Sequence, residues 1–274
     1  MRITFTKMSG AGNDFVVIDN RTGVVTDAVN LAKKICDRRW GVGADGLLLL
    51  EKSESADYRM MYYNADGSYG GMCGNGGRCI SQYALANGIA SDTQKFEALG
   101  HIYHAVVDSG EVILSMLDPR NLRMNIVLPM RSRRLRVHFV DTGSPHVVIP
   151  TAQFKSRYRT LGDIPVVEIG KHIRNHKLFQ PDGTNVNFIE RIDKTSIKIR
   201  TYERGVEAET YACGTGSIAS AVVGSRLWSM RPPIRVIPVS GVPLTVSFDF
   251  KKKAYSRVTL KGEVKTTFTG EFDV

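Results

Sequence analysis

The sequence predicts an α/β (α+β) protein of two pseudo-symmetric halves, each a strongly curved, barrel-like mixed β-sheet around a central buried helix. Three observations carry this expectation. Short segments that alternate apolar and polar residues fill most of the chain, the period of half-buried strands. Two helical stretches, Gly76–Ala86 and Gly216–Leu227, are apolar nearly all round, and such a helix belongs inside a protein. Each follows a Cys-Gly turn, Cys73-Gly74 or Cys213-Gly214, and the two turns stand about half a chain apart, so the layout repeats.

In chain order, strands are expected at Arg2–Lys7, Phe15–Asp19, Gly46–Glu51, Tyr58–Tyr63, His101–Val107 and Glu111–Leu117. A helix over Asp27–Arg39 begins behind Thr26 as N-cap and stops before Gly41. The Gly76–Ala86 helix ends at Asn87-Gly88, a natural C-cap pair. Asp118-Pro119 breaks the pattern and marks the boundary between the halves. Beyond it strands are expected at Met124–Leu128, Leu135–Asp141, His146–Ile149, Val186–Arg191, Ser196–Glu203, Ile234–Val239, Leu244–Phe250, Tyr255–Leu260 and Val264–Phe268, with a short helix over Thr151–Tyr158.

Composition narrows the function. The apolar share of 42% is that of a soluble globular chain of 274 residues. The start, Met1–Lys7, alternates like a strand and carries no signal-peptide core, and the longest apolar run, Leu47–Leu50, is strand-sized. A cytoplasmic enzyme with no membrane contact is expected. The net charge of +10 gathers at Lys33-Lys34, Arg38-Arg39, Arg131-Ser132-Arg133-Arg134 and Lys251-Lys252-Lys253. No interleaved aromatics or recognisable module accompany these runs, which argues against nucleic acid as a partner. The four cysteines, at 36, 73, 79 and 213, form no CxxC and have no histidine cluster beside them, so neither a disulfide framework nor a metal site is expected.

Two of the cysteines carry chemistry. Met72-Cys73-Gly74-Asn75-Gly76-Gly77 and Ala212-Cys213-Gly214-Thr215-Gly216-Ser217 each place a thiol at the start of a helix, behind glycines that let a ligand approach the backbone. Free N–H groups and the positive end of the helix dipole favour the thiolate there. A carboxylate held at both turns would accept hydrogen bonds from both sets of amides. Inverting a stereocentre α to that carboxylate needs a base on one face and an acid on the other, and two thiols serve both roles. The amides would stabilise charge spreading onto the carboxylate as the α-proton leaves. Gly41–Gly46 lacks the spacing of a dinucleotide-binding loop, and nothing points to pyridoxal phosphate, so no cofactor is expected. Cys36 and Cys79 fall on apolar helix faces and read as core.

These segments resemble the diaminopimelate epimerase family along the whole chain. The likeness rests on Lys7–Phe15, Gly41–Gly46, Tyr63–Ser68, Met72–Cys79, Gly143–His146, Gly183–Asn187, Tyr202–Gly205 and Ala212–Gly216, in that order. It implies interconversion of LL- and meso-2,6-diaminopimelate in lysine and cell-wall precursor synthesis, by a homodimer without cofactor. It implies that the last strand returns to the first half, giving 1–118 plus 263–274 and 119–262. Cys73 and Cys213 match the two proton-transfer thiols. Asn13, Asn64 and Asn185 match substrate-holding positions, and Gly74, Asn75, Gly214 and Thr215 match the helix-end groups around the reacting carboxylate. Arg204 matches the guanidinium that takes the distal carboxylate, Glu203 a site near the ammonium groups and thiols, and His146 a histidine that adjusts thiol ionisation. Two positions depart from the pattern. Some members carry Gln at the place of Gly46, and many carry Asn at the place of Ser144, whose hydroxyl has a shorter reach.

Other readings are a cofactor-independent proline or hydroxyproline racemase, a thiol redox protein, and a nucleic-acid binder. Asn64, Asn185 and Arg204 argue for a substrate with a second amino-acid head, which the first alternative lacks. The redox reading leaves the asparagines and helix-end amides without a role.

Overall fold

The computed structural model describes residues 2–130 and 133–274, and Arg131 and Ser132 of the basic run lie outside it. The chain divides into two compact units, Met1–Ser115 with Lys261–Val274, and Met116–Leu260.

In the first unit β1 (Arg2–Gly10) and β2 (Asn13–Asp19) form an antiparallel hairpin around Ala11-Gly12, both at positive φ. Helix α1 (Ala28–Ile35) crosses to β3 (Gly46–Glu51), parallel to β2, and β4 (Tyr58–Asn64) returns antiparallel. Helix α2 (Gly74–Ala86) leads to β5 (Thr93–Ala98), parallel to β4, and β6 (His101–Asp108) and β7 (Glu111–Ser115) follow as a meander. The C-terminal strand sits beside β7 and pairs antiparallel with β1, from Arg2↔Asp273 to Gly10↔Val264. That pairing closes the ring of strands, which leaves no unpaired edge. Inside it α2 touches β1, β2, β3, β4, β6 and β7. Outside, α1 covers β3 and β4 through Leu31, Ala32 and Ile35.

The second unit repeats this order. It contains β8 (Arg120–Met130), β9 (Arg133–Asp141), β10 (Pro145–Pro150), α3 (Val166–Arg174), β11 (Asn185–Arg191), β12 (Ser196–Glu203), β13 (Ala208–Thr210), α4 (Gly214–Trp228), β14 (Ile234–Ile237), β15 (Leu244–Lys251) and residues 254–260 of β16 (Ala254–Asp273). The hairpin β9–β10 corresponds to β1–β2, and the parallel pair β10–β11 spanned by α3 corresponds to β2–β3 spanned by α1. The parallel pair β12–β14 spanned by α4 corresponds to β4–β5 spanned by α2. Helix α4 touches β9, β10, β11, β12, β14 and β15 and is buried from Gly214 to Gly224 apart from Thr215. Mixed sheets around central buried helices are what the alternation and the apolar helices foretold.

The elements differ from expectation in a few places. Asp27, not Thr26, caps α1, its carboxylate accepting from the Asn30 amide at 3.1 Å, and the helix stops at Ile35. Thr151–Phe154 is a single 3₁₀ turn where a longer helix was expected. β5 was missed because Gln94 occupies an inward position, where it bonds the Tyr58 hydroxyl at 2.7 Å. Helix α3 was missed although Val166, Ile169 and Ile173 form a buried stripe, since Gly170 interrupts it, at a place where the Tyr202 side chain leaves no room for a Cβ. The last two expected strands are one, β16, with Arg257 at φ 53 shifting the inward face.

Truncation after Leu260 removes the partner of both β1 and β7. It should abolish hydrogen-exchange protection of α2 and β1–β7 while the second unit keeps its own, whereas retained protection in the first unit would show that ring closure is dispensable.

Candidate active site

In each unit four places come together at the carboxyl or amino ends of neighbouring strands: the start of the hairpin's second strand, the start of the parallel strand, the end of the next strand, and the N-cap of the central helix. In the first unit these hold Asn13, Gly46, Asn64 and Cys73. In the second they hold Pro145-His146 with Ser144 before them, Asn185, Glu203 and Cys213. The two cysteines share one backbone conformation, φ −116, ψ 120 for Cys73 and φ −118, ψ 115 for Cys213.

Around Cys73 a chain of side-chain amides meets the thiol. The thiol donates to Asn13 Oδ1 across 3.7 Å, and the same oxygen accepts from Asn75 Nδ2 at 3.3 Å. Asn13 Nδ2 donates to Asp45 Oδ2 at 2.6 Å. Asp45 is held in turn by Arg38, which also grips Asp14. Burial opposes ionisation of Asp14, but its bonds to Arg38 and Lys7 outweigh this and hold the carboxyl at about 2. Asn75 is fixed from behind by Arg78, whose Nη2 donates to Oδ1 at 2.8 Å. Asn64 accepts from the Tyr62 hydroxyl at 2.8 Å and donates to Ser68 Oγ at 2.9 Å. The ring of Tyr62 fills the space where side chains at Gly46 and Gly70 would stand. A side chain at position 46 would also strike the Tyr63 carbonyl, so glycine is the residue that fits there.

Around Cys213 the sulfur meets a backbone amide and a hydroxyl. It takes the Gly216 amide at 3.4 Å and lies 3.5 Å from Thr215 Oγ1. Thr215 Oγ1 is 2.9 Å from His146 Nε2, and Ser144 Oγ is 3.0 Å from the same nitrogen. Asn187 decides the tautomer. Its Nδ2 donates to the Val147 carbonyl at 2.9 Å and faces His146 Nδ1 at 3.1 Å, while its Oδ1 accepts from Thr201. An amide nitrogen only donates, so Nδ1 accepts and the imidazole proton sits on Nε2, toward Thr215. Complete burial pushes His146 down to about 3, and the nearby Arg204 guanidinium adds to the shift. His146 is therefore neutral at physiological pH and is linked to Cys213 through the Thr215 hydroxyl.

Asn185 ties the strand ends together, donating to the Pro145 carbonyl at 3.0 Å and accepting from the Arg204 amide at 2.8 Å. The Arg204 guanidinium bonds the Asp182 carbonyl at 3.1 Å, and among the described residues no carboxylate pairs with it. Glu203 accepts from the Thr210 hydroxyl at 2.9 Å. Gly74 and Gly214 open the two helices, and Thr142 bonds the Thr215 carbonyl at 2.9 Å. Among the described residues no group of three or more His, Cys, Asp or Glu side chains is placed to hold a metal ion. Cys36 and Cys79 are buried, and burial pushes each up to about 12, out of reach of acid–base chemistry near neutrality. Arg78, Tyr62 and Asn187 were not picked out from the sequence as site residues, although Arg78 and Asn187 stand inside the motifs that were.

The family profile of diaminopimelate epimerase matches residues 5–121 and 138–272. The chain is 43% identical over 267 residues to the diaminopimelate epimerase of Chlorobaculum tepidum, covering 96% of this chain and 98% of that one. Against the diaminopimelate epimerase of Flavobacterium psychrophilum it is 37% identical over 266 residues, covering 96% and 97%. A solved hydroxyproline epimerase from Agrobacterium vitis, with bound trans-4-OH-L-proline, superposes with a TM-score of 0.73 at 15% identity, covering 98% of this chain and 92% of that one. That last likeness is one of fold.

Burial of a neutral imidazole has a measurable consequence. The unfolded chain takes up this proton near the ordinary value of 6.5 and the folded chain near 3, so between these values the unfolded state binds more protons. Stability then falls as pH falls through that window. His138, held at about 4 by burial and Arg136, acts in the same direction. Urea unfolding of His146→Gln between pH 6 and 4.5 should show a shallower slope than wild type, by up to roughly 1.4 kcal/mol per pH unit. Identical slopes would mean that folded His146 takes up its proton normally.

Proposed function

Because the chain belongs to the diaminopimelate epimerase family, we propose that it interconverts LL- and meso-2,6-diaminopimelate by passing the α-proton between Cys73 and Cys213. The reading is supported most directly by two thiols in matching places, each at the N-cap of a buried helix on the same extended backbone, with Cys73 bonded to Asn13 Oδ1 and Cys213 accepting from the Gly216 amide.

One base and one acid are what inversion requires. With Cys213 as thiolate and Cys73 as thiol, the Cα–H bond breaks, its proton goes to the Cys213 sulfur, and the electron pair spreads onto the substrate carboxylate. Cys73 delivers its proton to the opposite face of the same carbon, leaving Cys73 as thiolate and Cys213 as thiol. That state is the one competent for the other epimer, so turnover in both directions alternates the two forms. The leading amides of α2 and α4 are suited to the negative charge on the carboxylate. Thr215, carrying the His146 proton donor behind it, stabilises the Cys213 thiolate.

The distal amino-acid head explains the rest of the constellation. Among the described residues no carboxylate pairs with Arg204, and its guanidinium is suited to the second carboxylate in a two-pronged contact. Glu203, Asn64 and Asn185 supply oxygens and amides for ammonium and carboxylate groups. A proline-type substrate would leave Arg204 unanswered. The proposal includes a cytoplasmic homodimer that needs no cofactor and works in lysine and peptidoglycan precursor synthesis, as the family likeness implies. No helix among the described residues is long and apolar enough to cross a membrane.

Reduced, metal-stripped protein given LL-diaminopimelate should form the meso isomer, measured by chiral chromatography. Cys73→Ala and Cys213→Ala should each lower turnover by about 10²–10⁴-fold, the usual worth of general acid–base catalysis. Near-normal turnover in either variant would contradict the two-thiol mechanism.

A further inference from the structure

Arg78 is among the largest fully buried side chains in the protein, and it is a cation. It stands on α2 just over one turn from Cys73, with Nη1 donating to the Gly74 carbonyl at 3.2 Å and Nη2 to Asn75 Oδ1 at 2.8 Å. Among the described residues its Nε has no hydrogen-bond partner and no carboxylate forms an ion pair with it. A fully buried charge without a counter-charge is strongly unfavourable unless function calls for it.

The start of α2 packs closely on the end of β1. A side chain at Gly10, on the end of β1, would press within 3.0 Å of the Asn75 carbonyl and 3.3 Å of Cys79 Sγ, with Arg78 Nη2 in ordinary contact at 3.6 Å. The chain thus holds backbone, Asn75 and guanidinium in close contact at the foot of the Cys73 turn.

Two physical effects follow. First, a guanidinium has no acceptor, so Arg78 forces Asn75 to turn its oxygen inward and its Nδ2 outward. That nitrogen forces Asn13 to present Oδ1, the atom that takes the Cys73 proton. Second, the titratable groups that feel Arg78 are the thiols of Cys73 and Cys79. Cys79 is fully buried and stays protonated. The charged pair Lys7–Asp14 acts on Cys36 on the other side of β1, and the buried phenols of Tyr58 on β4 and Tyr103 on β6 stay neutral near neutrality. The negative charge that answers Arg78 is the one that appears at Cys73.

We propose that Arg78 is a positioning residue for Cys73: it orients the Asn75–Asn13 amide pair and supplies the fixed positive charge that the Cys73 thiolate balances when that thiol serves as the base. This rests on Cys73 being a proton-transfer group. Cys213 has no such cation on its own helix near the cap and is served by the neutral Thr215–His146 pair. The two thiols are therefore tuned by different means.

The test is pH-dependent alkylation of the full-length enzyme by iodoacetamide, with Cys73 and Cys213 peptides quantified separately by mass spectrometry. In Arg78→Gln the midpoint for Cys73 should rise by about one pH unit or more, while that for Cys213 stays. Arg78→Lys keeps the charge but loses the fork, so the Cys73 midpoint should stay within about half a unit of wild type while kcat falls by about tenfold. A folded Arg78→Gln protein with an unmoved Cys73 midpoint, or one in which both midpoints move together, would overturn the proposal. Should that variant fail to fold, Arg78→Lys decides, and wild-type kcat or a Cys73 shift of a unit or more would overturn it. The alkylation arm needs no substrate, so its outcome is independent of the epimerase reading.

Discussion

A cysteine used as the N-cap of a buried helix is the constraint on which the site depends. Most caps are Ser, Thr, Asp or Asn, whose oxygens satisfy the helix's leading amides. Here sulfur stands in that place twice, on the same extended backbone, at the head of a helix wrapped by strands of its own unit. Burial keeps the helix dipole unscreened, and the glycines after each cap bring the amides into reach of a ligand. Gly216 shows how tight this is, since a side chain there would strike Asn187 Oδ1. Much of the rest of each unit can be read as what holds such a helix end open and polar while the helix body is apolar.

The repetition is topological, and the chemistry on it has diverged. The hairpin, outer helix, parallel strand, returning strand and central helix recur in order, so the same four strand and helix ends converge in each unit. On that common frame the first unit places an amide chain, Arg78–Asn75–Asn13, that ends in an acceptor for the Cys73 proton. The second places donors, Gly216 and the Asn187–His146–Thr215 series, that end on the Cys213 sulfur. Equivalent positions are filled differently, Gly46 under the Tyr62 ring where the other unit has Asn185. A symmetric frame with asymmetric hydrogen bonding suits a reaction that needs an acid and a base at any one moment.

Much of this was legible in the chain. The two Cys-Gly-x-Gly turns, the apolar helices behind them and the alternating strands point to the architecture, because burial and period leave direct marks on composition. What escaped was polar burial. Gln94 hid β5 by putting an amide at an inward position, and Gly170 hid α3 by removing a side chain where Tyr202 packs. Arg78 and Asn187 escaped for the same reason: a polar residue in a motif reads as exposed until its partners are seen. The role of His146 was legible only in outline, since neutrality and tautomer depend on Asn187, brought beside it by the pairing of β11 with β10.

The central claim, two monoprotic bases that each hold their own proton, is tested most directly by where solvent hydrogen goes. LL-diaminopimelate should be turned over in deuterium oxide and both isomers isolated in the first few per cent of reaction. The expected result is meso product carrying one deuterium at the inverted carbon while recovered LL substrate carries none. Deuterium entering recovered substrate as fast as product would contradict the account, because it would mean that one group removes and returns the proton.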